Sequence, residues 1–263
     1  MARDKVRIRF RKGGTLRLIS HHDLMRCFER MLRRAGLPFH STQGYNPKPR
    51  LVFALSLGLG IQGCKEVVDL ELDEPLPPEQ IHQRLARQAP DGLEILSVCR
   101  IDPKISAQVR RVCYRVAIPP ARRENLGAPI ASLMMAPHCW VDRARPQPRR
   151  VDLRPYLRDL RVLGDALEVD LWVTPNGTAR PEEVLRLLGL ADLLEAGAVL
   201  ERTTLELHDE GGGPAPDRSE EVLAAAGGGA PAPLPDLADG AGAWAADQLA
   251  PPPLRNSQPE GNT

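Results

Sequence analysis

The densest chemistry in the chain is Ser20-His21-His22-Asp23. A serine followed three residues later by an acid starts a helix: the Ser20 hydroxyl accepts from the Asp23 amide and the Asp23 carboxylate reaches back. A helix start also leaves free amides and positive potential. With His21, His22 and the nearby Arg17, and with Arg26 on the side of the helix, it is a candidate site for phosphate or carboxylate. A second candidate is Gln43-Gly44-Tyr45-Asn46-Pro47-Lys48-Pro49. Gly44 can take positive φ, and the two prolines disfavour helix and ladder. Tyr45 could stack on a base, and Asn46 and Lys48 could contact phosphate or sugar. The candidate binding residues are therefore Arg17, Ser20, His21, Asp23, Arg26, Gln43, Gly44, Tyr45, Asn46 and Lys48.

Other chemistries find less support. His21, His22, His40, Asp23, Cys27 and Cys64 offer metal ligands, but their spacing matches no finger or HExxH pattern, so no metal is expected. There is no CxxxCxxC for an iron-sulfur cluster, no Gly-rich nucleotide loop and no GxSxG. No cofactor is expected and no catalytic residue is assigned. Glu66 and Asp69 resemble a carboxylate pair, but three apart on a strand they point to opposite faces, which makes them structural.

The elements that must position these groups follow from periodicity. Lys5 to Arg11 alternates charged and apolar residues, which predicts a half-exposed strand with Val6, Ile8 and Phe10 facing a core. Leu24, Phe28, Met31, Leu32 and Ala35 form the apolar stripe of a helix, opposite Arg26, Arg30, Arg33 and Arg34, and Gly36 and Pro38 stop it. Leu37 to Thr42 reads as a second strand parallel to the first, closing a right-handed β-α-β unit. Both candidate stretches would then leave the carboxyl ends of adjacent strands, where ligands tend to bind in open α/β sheets.

Strands at 50–57, 66–72 and 92–101 and a helix at 79–89 complete a β-α-β-β-α-β order. A fainter copy follows: strand 109–118, helix 121–135, strands near 139–143, 149–153 and 166–173, a helix from Pro181 to Leu188, and a closing strand 199–207. The expected fold is α+β, with a ferredoxin-like βαββαβ module over residues 1–102 and a second similar module over 103–208. Residues 209–263, rich in Gly, Ala, Pro and acids, are expected to be a disordered acidic tail.

Charge is divided along the chain. Thirteen basic residues face three acidic ones up to Gly60, and from Asp209 onward nine acidic residues face two basic ones. The basic front, including Arg7, Arg9, Arg11 and Arg50, suggests a polyanion partner. Five scattered cysteines without a CxxC pair fit reduced thiols. With no apolar leader or membrane-length run, a cytoplasmic protein is expected.

Arg7-x-Arg-Phe-x-Lys-Gly13, Leu18-Ile-Ser-His-His-Asp23, Arg33-Arg-Ala-Gly-Leu-Pro38 and Gln43-Gly-Tyr-Asn-Pro-Lys-Pro49, followed by Gly60 and Glu66-x-x-Asp69, resemble the radical SAM-linked protein family, an uncharacterised bacterial family. The likeness is strongest over residues 4–101, weaker to about 208, where Arg202-Thr203 resembles a late motif, and absent from the tail. Where the family has Ser-His-Leu-Asp this chain has Ser-His-His-Asp, so Ser20, His21 and Asp23 carry over and His22 does not; Tyr45 replaces a phenylalanine. The resemblance implies an accessory protein of a B12-binding radical SAM enzyme, and the basic front adds the expectation that it binds or presents a substrate such as RNA. Two alternatives are a metal-independent RNA-processing enzyme with His21 as general base, and a structural adaptor whose acidic tail shields the basic front.

Overall fold

In the computed structural model, residues 4–144 and 147–210 are described. The expected tail lies outside them from residue 211 onward. The alternating run forms β1 (Asp4–Lys12), and the capped stretch opens α1 (His21–Arg34). Ser20 has extended backbone and accepts from the Asp23 amide, while its hydroxyl donates to the Asp23 carboxylate at 2.7 Å. Leu24, Cys27, Phe28, Met31 and Leu32 are buried, each large apolar side chain contributing roughly 1.5–3 kcal/mol. Gly36 at φ 60° ends α1, its amide donating to Arg33 and that of Leu37 to Leu32.

β2 (Leu51–Phe53), β3 (Gln62–Leu72), α2 (Pro78–Ala86) and β4 (Leu93–Ile101) complete the first half. In space the order is β4-β1-β3-β2, every neighbouring pair antiparallel. The second half runs β5 (Val109–Ala117), α3 (Pro120–Arg123), α4 (Gly127–Met135), β6 (Trp140–Arg143), β7 (Arg149–Asp152), β8 (Leu157–Leu163), β9 (Ala166–Trp172), α5 (Pro181–Leu187), α6 (Asp192–Glu195) and β10 (Glu201–Leu207). Its order is β10-β5-β9-β8, again antiparallel throughout. The halves meet where β10 runs parallel to β3, Glu201 beside Gln62 and Arg202 beside Gly63. One eight-stranded sheet results, in a mixed α+β fold, with one core within residues 6–95 and another built mainly on residues 109–207.

The second strand departs from expectation. Leu37 to Thr42 makes only isolated bridges, Phe39 with Leu72 and Ser41 with Pro49, and the ladder proper is β2. Both touch the same edge of β3, so residues 41–49 are an excursion interrupting one edge strand. The strands expected near 139–143 and 149–153 pair only with each other, as a separate two-stranded ribbon. The strand that completes the second half is β8, whose Arg158, Asp159 and Arg161 interrupt the apolar alternation that would have announced it. The helix expected over 121–135 is broken into α3 and α4. Among the described residues, no helix is long and apolar enough to cross a membrane.

Candidate functional site

The ten candidate residues fall at opposite ends of α1. Because β2 begins only at Leu51, the 41–49 loop precedes it and lies with the carboxyl end of α1. Arg33 donates to the Pro47 carbonyl at 3.3 Å, and its guanidinium sits 5.5 Å over the Phe39 ring. Ser20 caps the other end, 14 residues and roughly 20 Å of helix away. The shared edge expected for both stretches is therefore absent.

The loop end gathers Gln43, Gly44, Tyr45, Asn46 and Lys48, all exposed, with Tyr45 fully so at 100%. The loop is nonetheless braced. Thr42 donates its amide to the Lys48 carbonyl at 2.8 Å, its hydroxyl accepts from the Lys48 amide at 3.1 Å, and Gly44 takes φ 144°. Arg34 bonds to Gln88 through both its carboxamide oxygen and its carbonyl, and Arg84 donates to the Gly36 carbonyl. A presented aromatic ring can stack a base, while Lys48 on the same loop and Arg33 against it can pair a phosphate. Arg33, Arg34 and Arg84 were not among the expected site residues, although their helical spacing was visible.

At the opposite end Arg17 donates to Gly14, Arg26 pairs with Asp23 at 3.5 Å, and the Ser20 hydroxyl holds the Asp23 carboxyl below its usual range. His21 packs edge-on against Phe53 at 5.1 Å, on the rim of a cluster of Phe10, Phe28 and Phe53. Among the described residues, its buried Nδ1 has no hydrogen-bond partner. Burial, with repulsion from His22, Lys12 and Arg202, holds the His21 imidazole below its ordinary pKa.

Behind His21 lies a buried ionic cluster. Arg202 grips Glu66 with two hydrogen bonds and also donates to the carbonyls of Leu55 and Ser56 and to the Tyr114 hydroxyl, so all its donors are engaged. Burial pulls the guanidinium's pKa down, but Glu66 and Tyr114 outweigh it and the net shift is upward. Lys12, fully buried, donates to the Ile19 carbonyl at 3.0 Å; burial and then Arg202 lower its pKa against the pull of Glu66. Gly63 makes room, since a Cβ there would lie 2.5 Å from the Glu66 side chain. Glu66 and Asp69 do face opposite ways: Glu66 meets Arg202, whereas Asp69 meets Arg7 at 2.9 Å and Lys5 at 3.7 Å.

The charged side of β1 is not the open basic face expected of a half-exposed strand. Lys5 and Arg7 are buried, Lys5 donating to the Ile105 carbonyl and Arg7 held between Asp69 and Asp209. Arg9 pairs with Glu210. Carboxylates already occupy this row, so the exposed positive potential shifts to Arg30, Arg33, Arg34 and Lys48. Among the described residues, no group of three His, Cys, Asp or Glu side chains is placed to hold a metal ion.

A family model described as an uncharacterised protein conserved in bacteria (DUF2344) matches residues 5–184. No curated protein matches the chain. Among solved structures, an unknown protein from Galdieria sulphuraria is 15% identical and covers 78% of this chain and 99% of its own, with a TM-score of 0.26.

Proposed function

The chain belongs to that family of uncharacterised proteins conserved in bacteria, and from this membership we propose that it is an accessory protein that binds RNA and presents it to a B12-binding radical SAM enzyme. The partner supplies the difficult chemistry. The observation that carries the RNA half is the fully exposed Tyr45 on a braced loop that carries Lys48 and that Arg33 contacts at Pro47. The partner half is supported by the family's occurrence beside radical SAM and B12 gene clusters. In the same proposal, residues 1–102 and 103–208 are two ferredoxin-like modules of a cytoplasmic protein, and the chain beyond them is an acidic tail.

Binding of labelled single-stranded RNA tests the interface. Tyr45→Ala should remove roughly 1–3 kcal/mol of stacking, about 5- to 150-fold in affinity. Lys48→Ala should flatten the logarithmic salt dependence by about 0.7. Arg26→Ala, at the far end of α1, should change neither. Wild-type protein that binds no RNA, or binding untouched by Tyr45→Ala and Lys48→Ala together, overturns the interface. Pull-downs that recover no radical SAM protein from a cell expressing one overturn the partner.

The enzymatic alternative is favoured by one observation, the unpartnered Nδ1 of a neutral His21. It requires RNA cleavage in the presence of chelator that disappears in His21→Ala. Intact RNA across mildly acidic to mildly alkaline pH removes it.

A further inference from the structure

α4 is the anomaly of the second half. Its sequence, Gly-Ala-Pro-Ile-Ala-Ser-Leu-Met-Met, has Ser132 as its one polar side chain, yet none of its residues is buried. Ile130, Leu133 and Met134 lie half-buried against the core, while Ala128, Pro129, Ala131 and Met135 stay exposed, Met135 at 85%. The helix packs on β8, the strand that ends the sheet. Among the described residues the ladder of β8 is with β9 alone, so its outer edge presents unpaired backbone donors and acceptors. An apolar helix and an open strand edge therefore lie side by side.

The charges on that edge are self-complementary. Beyond the bulge between Leu157 and Asp159, β8 runs regularly, with Leu160 and Val162 on the core side and Asp159 and Arg161 on the other. Both charged side chains are about half exposed, and within the strand they meet only at 3.7 Å. Arg161 also holds Glu168 of β9 at 3.0 Å, which fixes its guanidinium on that face. We propose that β8 and α4 form the contact by which two copies of this chain pair about a two-fold axis through Leu160. Antiparallel pairing centred there sets Asp159 of each copy opposite Arg161 of the other, twice, and Leu160 against Leu160. The same axis brings the two α4 helices together on one face of the joined sheet, where each covers the apolar side chains of the other. The opposite end of the sheet is built against such pairing: β4 is bulged in mid-strand, between its partners to Arg9 and Phe10, and its Arg100 is engaged by Asp4 at 3.0 Å. Residues 158–162 and the nine residues of α4 fall short of the roughly 20–30 residues a side of a standard interface, so association in the micromolar range is expected. The first half of each copy, with its Tyr45 loop, lies away from the seam, and the pairing is independent of RNA binding.

Sedimentation velocity on the full chain from about 1 to 200 µM reads the association by mass action. Wild type should pass from monomer to dimer over that range. Asp159→Arg and Arg161→Asp each turn two attractions across the seam into two repulsions and should weaken the dimer at least about tenfold. Mixing these two variants in equal amounts gives the decisive arm. Every charged pair across the seam is then opposite in sign again, so a mixed dimer should form near the wild-type affinity. Met135→Lys, at an exposed helical position, should weaken association by a similar factor with the melting temperature unchanged, which checks α4 separately. Wild type that stays monomeric at about 200 µM, a dimer indifferent to all three substitutions, or two variants that stay apart when mixed each overturn the pairing.

Discussion

Arg202 is an informative single residue because every donor it has is engaged and nearly all its partners belong to the other half of the chain. Glu66→Gln would leave its guanidinium buried without a counter-charge, at an expected cost of about 3–5 kcal/mol, read as a lower urea midpoint at unchanged slope. His21 gives a pH test. Burial and its cationic neighbours hold its folded-state pKa below the ordinary value, so the unfolded chain binds the proton more readily. Stability should therefore fall as pH drops through about 6.5 towards the folded value. His21→Gln should make the melting temperature less sensitive to pH over that window. The sequence allowed the inference that Glu66 and Asp69 serve separate faces, because strand periodicity is local. It held no sign that Glu66 meets a residue 136 positions later, since nothing local in either segment encodes that contact.

Elements whose cause is local were the most legible. The Ser20 cap, the buried stripe of α1 and its Gly36 stop all follow from short-range chemistry, and Ser20→Ala should cost about 0.5–2 kcal/mol in thermal or urea unfolding whether or not a ligand exists. The position of the second strand was not legible. Leu37 to Thr42 and residues 50–57 both read as strands, and β3 takes only the second into a ladder, pairing Leu51 with Leu70 and meeting the earlier stretch at the Phe39 bridge and the His40 amide. That choice sent Tyr45 to the opposite end of α1 from Ser20 and divided the expected site in two. Gly63 leaves the space that the Glu66 side chain fills, so Gly63→Ala should destabilise by about 1–3 kcal/mol through overpacking. Denaturation at constant pH checks it, and an unchanged midpoint would mean that Glu66 moves aside at no cost.

At the scale of the whole molecule, the two halves share a sheet through only two paired positions, reinforced by Arg202. Wild type should unfold in one calorimetric transition, and Arg202→Met should split it into two as the halves lose their coupling. A single transition in the variant would assign the coupling to the ion pairs of Asp209 and Glu210 with β1 instead. The same junction limits how sequences of this architecture can vary. One edge of β3 is divided along its length, β2 holding Val68 to Leu70 and β10 holding Gln62 and Gly63. Positions 64–67 separate the two, and a β2 lengthened past them would take Gly63 and then Gln62 from β10, so a β2 of that length evicts the second half. Conversely, a fragment cut after the first half would carry an uncovered stretch of β3 backbone, and its predicted fate is pairing with itself in solution.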